Sequence, residues 1–111
     1  MKRIECVIRP VRLEAVKTAL GELGVTGLTV SDVRGTGGAA GMESPMGRGY
    51  SMTLPPKIKI EIVTRDEDVE EVVQTVLAHA RTGDPGDGVI WVLPAATAIR
   101  IRTGDEGEGV L

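Results

Sequence analysis

Phenylalanine and asparagine are both absent from this 111-residue chain, and Trp91 and Tyr50 are its only aromatic residues. The core must therefore be aliphatic, and a sheet with stacked strand aromatics for RNA recognition is not available. Cysteine is limited to Cys6 and histidine to His79. One cysteine excludes an intrachain disulfide and a structural zinc site of several thiolates, and one imidazole excludes a multi-histidine metal site. A net charge of −3 argues against a general polyanion binder, because nucleic-acid affinity rests on many phosphate contacts. No apolar run approaches the length of a membrane span, and nothing resembles a signal peptide, so a cytoplasmic, non-membrane protein is expected. No serine–histidine–acid or cysteine–histidine pairing falls at a recognisable signature, so no catalytic residue is assigned.

What remains is ordinary globular composition: 41% hydrophobic and 26% charged residues, enough for a single domain over residues 1–111. Residues 3 to 9 alternate, with Ile4, Cys6 and Ile8 on one face and Arg3, Glu5 and Val7 on the other, which predicts a half-buried strand closed by Pro10. Leu13, Val16, Leu20 and Leu23 recur at helical spacing, and Gly24 ends that helix. Leu28 to Arg34 reads as a second strand. Lys57 to Val63 is the clearest strand, with Ile58, Ile60 and Ile62 alternating against Lys57, Lys59 and Glu61. Thr64 to Glu67 has the capping-box pattern. A helix with Val69, Val72, Val73, Val76, Leu77 and Ala80 on its inner stripe follows, and Gly83 is expected to stop it. Val89 to Leu93 is the fourth strand. The order βαββαβ predicts an α+β, ferredoxin-like sandwich: an antiparallel sheet with two helices on one face. Cys6 is expected as a small buried hydrophobe. His79, late in its helix, is expected to be structural, and the acidic run from Asp66 to Glu71 a solvated helix start.

A long loop between strands two and three breaks the pattern. Hairpin loops usually take about two to five residues, whereas Gly35 to Pro56 separates these strands, with six glycines and three prolines among them. A connection of that length is functional or disordered.

Two further segments carry chemistry. Thr82-Gly-Asp-Pro-Gly-Asp-Gly-Val-Ile-Trp-Val92 is a glycine-rich turn feeding an apolar strand, and consecutive amides in such a turn can form an anion nest. Arg100 and Arg102, read as two apart on an extended segment, would share one face about 7 Å apart. Two like charges so placed repel unless an anion lies between them. Together they suggest a phosphate site; the alternative reading is a surface turn and a solvated edge strand.

These residues also carry a family resemblance. Thr82 to Val92 resembles the second signature segment of the PII signal-transduction proteins, and Ile99-Arg-Ile-Arg-Thr-Gly104 resembles their C-terminal segment. Met1 to Glu5, Gly27 to Val30 and Pro56 to Ile62 extend the resemblance over nearly the whole chain. It implies a T-loop over 35–56, a B-loop over 82–89 and a C-terminal segment over 100–111. It also implies a non-catalytic homotrimer with adenine nucleotides (ATP, ADP or AMP) in clefts between subunits. The T-loop would contact a regulated enzyme, transporter or other protein in nitrogen or carbon metabolism. Carried over residue by residue, Gly27, Leu28, Thr29 and Val63 would lie near the adenine. Gly35 and Gly37 would start the loop beside the phosphates, and Gly86, Asp87 and Gly88 would supply the turn. Arg100 and Arg102 would reach the phosphates from the neighbouring subunit. Tyr50 falls at the family's uridylylation position, and is equally suited to anchoring the loop in a partner.

The departures from the pattern are specific. Val89 stands where the family has a basic residue that contacts the phosphate tail, and Gly38 replaces an arginine. Ala39 takes the place of the glutamine that helps to hold magnesium and 2-oxoglutarate. Lys57 remains as a candidate ligand for a small anion. The expectation is ADP or AMP bound at least as well as ATP, magnesium left open, and 2-oxoglutarate not the principal effector. Bicarbonate is one candidate anion, as in PII-like proteins of carbon-uptake or carboxysome neighbourhoods. A structural or metal-tolerance trimer of the CutA type, on the same fold, is the alternative from a different class.

Overall fold

The computed structural model describes residues 1–37, 42–43 and 51–111. Strand β1 (Lys2–Ile8) leads through a 3-10 turn, Pro10–Arg12, into helix α1 (Leu13–Leu23) and strand β2 (Thr29–Arg34). Two-residue strands β3 (Met42–Glu43) and β4 (Ser51–Met52) come next, followed by β5 (Pro56–Thr64), helix α2 (Val69–Ala80) and β6 (Gly88–Pro94). The main sheet has the order β2-β5-β1-β6 with every neighbour antiparallel. This is the expected ferredoxin-like arrangement.

Strand parity explains why both helices lie on one face. Ile4, Cys6 and Ile8 of β1 pair with Ile62, Ile60 and Ile58 of β5, so one side of the two central strands is continuously aliphatic. Val16 and Leu20 of α1 and Val72, Val76 and Ala80 of α2 pack onto that side in one buried cluster. Cys6 is fully buried within it, and burial pushes its thiol up to about 11, outweighing a backbone hydrogen bond at Ile60. It is therefore inert at neutral pH. His79 is structural as well, with Nδ1 2.9 Å from the Thr75 carbonyl and its own carbonyl accepting from Arg12 Nε at 2.8 Å.

Helix ends differ from expectation at both ends of α2. Gly24 caps α1 with φ +104°, the left-handed conformation that glycine adopts without strain. At α2 the capping box does not form. Thr64 is the last residue of β5 and pairs across from Lys2. Residues Asp66–Asp68 make a 3-10 turn, and no side chain caps α2. With Thr64 held in the strand, the N-cap place of this turn falls to Arg65, whose side chain makes no cap hydrogen bond. Nor does Gly83 stop α2: Arg81 already leaves it in an extended conformation, and Gly83 (φ +95°) turns the chain two residues later.

The long connection also contains a short ladder, Met42 opposite Met52 and Glu43 opposite Ser51. Two residues per strand are too few to show a period of two in the sequence.

Candidate functional site

The site residues expected from the sequence fall into three groups, set apart by the sheet. Gly27, Leu28 and Thr29 enter β2, and Val63 ends β5 beside them. All four line one cleft of about 720 Å³, together with Arg3, Glu61, Arg65, Val110 and Leu111. None of Gly35, Gly37, Gly86, Asp87 or Gly88 lines it. Those glycines lie towards the opposite end of the strands, where Gly35 donates its N–H to the Pro55 carbonyl. Register fixes the separation. Thr29 pairs with Glu61, in the row of Glu5 and Trp91, while Gly88 pairs with Ile8 three residues further along β1. Three residues along and three strand spacings across put the cleft and the 82–88 turn about 17 Å apart, on opposite edges of the sheet.

The turn is braced from within. Asp87 accepts hydrogen bonds from the N–H groups of Thr82 and Gly83, both at 2.8 Å, from the Thr82 hydroxyl, and from Arg9 Nε at 3.0 Å. These contacts, the Thr82 hydroxyl first, hold its carboxyl well below the usual carboxylate range. Arg9 also donates to the Pro85 carbonyl at 2.7 Å. With its oxygens so engaged, Asp87 positions the turn, and what it presents to a ligand is backbone. Lys57, expected as a free cation for a small anion, is buried, and its ammonium donates to the Gly86 carbonyl at 2.6 Å. An ammonium has three donors, so the lysine fastens the turn to the start of β5 and retains capacity for an anion.

Gly88 is constrained differently from the other glycines. Its φ is +111°, and a Cβ there would lie 1.7 Å from the Val7 carbonyl oxygen. The position needs glycine for the β1–β6 pairing, whatever it offers a ligand.

The arginine pair corrects an expectation. Residues 98–107 form a tight hairpin: Arg100 donates its N–H to Asp105 O (2.8 Å), Gly104 to Arg100 O (2.7 Å) and Gly107 to Ala98 O (2.9 Å). Ile99 bridges Glu106, and residues 101–103 turn. Arg100 and Arg102 therefore sit on a turn, where the same-face spacing of an extended strand does not apply. Arg100 lies 3.8 Å from the Asp105 carboxylate. The alternation Ile99-Arg-Ile-Arg imitates a strand, but the glycine at 104 (φ +75°) closes the chain on itself. Gly38, Ala39 and Tyr50 lie outside the described residues.

The sequence profile of the family described as nitrogen regulatory protein P-II matches residues 1–105. Nitrogen regulatory protein P-II 2 of Methanothermobacter thermautotrophicus is 50% identical over 109 residues, 97% of this chain and 95% of that protein. The nitrogen regulatory proteins P-II of Nostoc punctiforme and Microchaete diplosiphon are 46% and 45% identical, each over 93% of both chains. The chain belongs to the nitrogen regulatory protein P-II family. As a P-II protein it is a signal transducer of nitrogen regulation, in a family of regulatory proteins. Among its described residues no group of three or more histidine, cysteine, aspartate or glutamate side chains could hold a metal ion, and no described helix is long and apolar enough to cross a membrane.

Two features of this P-II protein were not legible in advance. Arg9 braces the turn from 78 residues away, a distance that no local pattern records. On the sheet face away from the helices, Glu5 is buried under three partners. Trp91 Nε1 donates to it, Arg3 Nε lies 2.8 Å away, and Lys59 Nζ lies 3.6 Å away while standing 5.9 Å over the Trp91 ring. Alternation placed Arg3 and Glu5 on that face, and only the register brings Trp91 and Lys59 to them.

Proposed function

We propose that this P-II protein is a non-catalytic homotrimer that binds adenine nucleotides between subunits and acts on a partner through the T-loop, residues 35–56. The observation that carries the reading is the division of the expected ligand groups. The base-side cleft lies by the β2 edge and the braced turn by the β6 edge of the same sheet. One chain cannot close both around a single nucleotide. A head-to-tail contact between the β2 side of one copy and the β6 side of the next would join them, and such heterologous contacts give rings where the rotation closes. In that reading the backbone of 86–88 holds phosphate, and Arg100 and Arg102 of the adjoining copy neutralise it. Family membership favours this transducer over a purely structural trimer.

Calorimetric titration with ATP, ADP and AMP, alongside sedimentation velocity, tests it. A trimer taking up one nucleotide per chain is expected, with ADP or AMP bound at least as tightly as ATP. A stable monomer that binds none of them would overturn the reading. 2-Oxoglutarate titrated into protein saturated with ATP and magnesium is expected to show no saturable binding at micromolar concentration. Lys57 already gives one of its donors to Gly86, and an alanine methyl at position 39 coordinates nothing, so a single cation would have to hold both carboxylates. A bicarbonate titration in the presence of nucleotide examines the small-anion alternative at Lys57.

A further inference from the structure

The cleft beside Gly27, Leu28 and Thr29 extends past them to the start of α2. Thr64, Asp68, Glu71 and Val72 line it there, together with Leu23 from the end of α1. Strand parity explains how Thr64 arrives. It continues the row Ile58, Ile60 and Ile62 that faces the helices, while Val63 faces the other side of the sheet. The cleft therefore wraps around the end of β5.

Two polar groups in it are unused within the chain. Thr64 is 8% exposed, and its hydroxyl makes no hydrogen bond among the described residues. No fully sealed side-chain oxygen or nitrogen among those residues goes without a partner, so this hydroxyl opens on the cleft that it lines. Asp68 is half-buried at the N-cap position of α2. An aspartate there ordinarily accepts from an N–H of the first turn, but this carboxylate caps nothing and joins no ion pair among the described residues. Other charges of the cleft are already engaged, Arg3 with Glu5 at 2.8 Å and Glu61 with Lys59 at 3.4 Å.

A desolvated hydroxyl and a carboxylate in one cleft call for a hydrogen-bond donor. The carbonyl end of α1, at Leu23 and Gly24, opens on the same space and adds to its acceptor character. A full cation is opposed by the amide end of α2, whereas a neutral amine is not. Leu23, Leu28 and Val72 supply apolar surface for a flat ring.

We infer that Thr64 and Asp68 read the 6-amino group of a purine and set a preference for a 6-aminopurine nucleotide over a 6-oxopurine one. Adenine presents an N–H donor at this position, where an oxopurine presents an acceptor. An oxo group would meet the Asp68 carboxylate acceptor to acceptor and leave both unpaired. The inference rests on the nucleotide reading above and deepens it, by naming the side chains that tell one base from another.

The test titrates ADP and IDP, which differ at position 6 of the ring, into the whole wild-type chain and into Asp68→Asn, Thr64→Val and Thr64→Ser. Wild type should bind ADP about tenfold more tightly than IDP, since a site built to pair with a donor rejects the analogue that lacks it. Asp68→Asn supplies a donor of its own, so IDP should gain affinity and the ratio fall below about threefold. Thr64→Val should weaken ADP by about threefold to tenfold, the worth of one neutral hydrogen bond, and Thr64→Ser should restore it. Melting of the nucleotide-free proteins reports whether each variant folds, and the half-exposed Asp68 carries the test if Thr64→Val does not. Equal binding of ADP and IDP by the wild type, or a ratio that Asp68→Asn leaves unchanged, would overturn the inference while the intersubunit nucleotide site stands. A wild type that binds neither nucleotide would overturn that site and the inference together.

Discussion

Asp87 and Val89 flank Gly88 and bear on the turn in opposite ways. Asp87 is held ionised by the Thr82 hydroxyl and N–H and by Arg9 and the Gly83 N–H. A carboxyl whose pKa is lower in the folded chain stabilises above its unfolded value, about 3.9, and loses that contribution as pH falls further. The melting temperature of the wild type should therefore drop on acidification below about pH 4. Asp87→Asn should melt lower at pH 7 and lose less on the same acidification. Equal acid sensitivity in both proteins would mean the carboxylate braces nothing. Val89 is 55% exposed at the start of β6 and brings no charge, while Lys57 and Arg9 are already engaged with the turn. Val89→Lys should raise the preference for ATP over ADP by about tenfold, roughly 1.4 kcal/mol, read by paired titrations. An unchanged ratio would show that the cation count at the turn does not set nucleotide choice.

The β1–β6 ladder depends on one absent side chain. With the Val7 carbonyl 1.7 Å from where a Cβ would stand, Gly88→Ala must push the strands apart or twist the turn. A destabilisation of about 2–4 kcal/mol is expected, measured by urea unfolding without nucleotide. A loss of nucleotide binding with unchanged stability would assign the glycine to the ligand alone. The strands themselves were readable because Ile58, Ile60 and Ile62 repeat with a period that only a half-buried strand satisfies. Helix α1 was readable from its stripe and from Gly24. The misreadings came where two local patterns competed for the same residues. Thr64 looks like a cap and is spent as a strand residue, and Ile99 to Arg102 looks like a strand and is bent by Gly104. For the site, the glycine turn could be found in the sequence, since glycines at 83, 86 and 88 all take positive φ. Its braces, Arg9 and Lys57, could not be found there, because pairing across the sheet creates both contacts.

At the scale of the molecule, the sheet shows one face to the helices and leaves the other to solvent, with Val63 and Val89 exposed on it around the Glu5 cluster. In the proposed trimer that face would be covered, which couples folding to concentration. The melting temperature should rise with protein concentration and rise further with saturating ADP, because each ligand or subunit that binds only the folded form stabilises by mass action. A melting temperature independent of both would contradict assembly. The same face holds Trp91, half-buried between Glu5 and Lys59. It is the only indole in the chain, so the protein's tryptophan emission comes from a single address on the surface that subunits would share. The wild-type sequence thus carries its own optical reporter: emission colour and quenching by iodide follow whether that face is wet or dry, with no label attached.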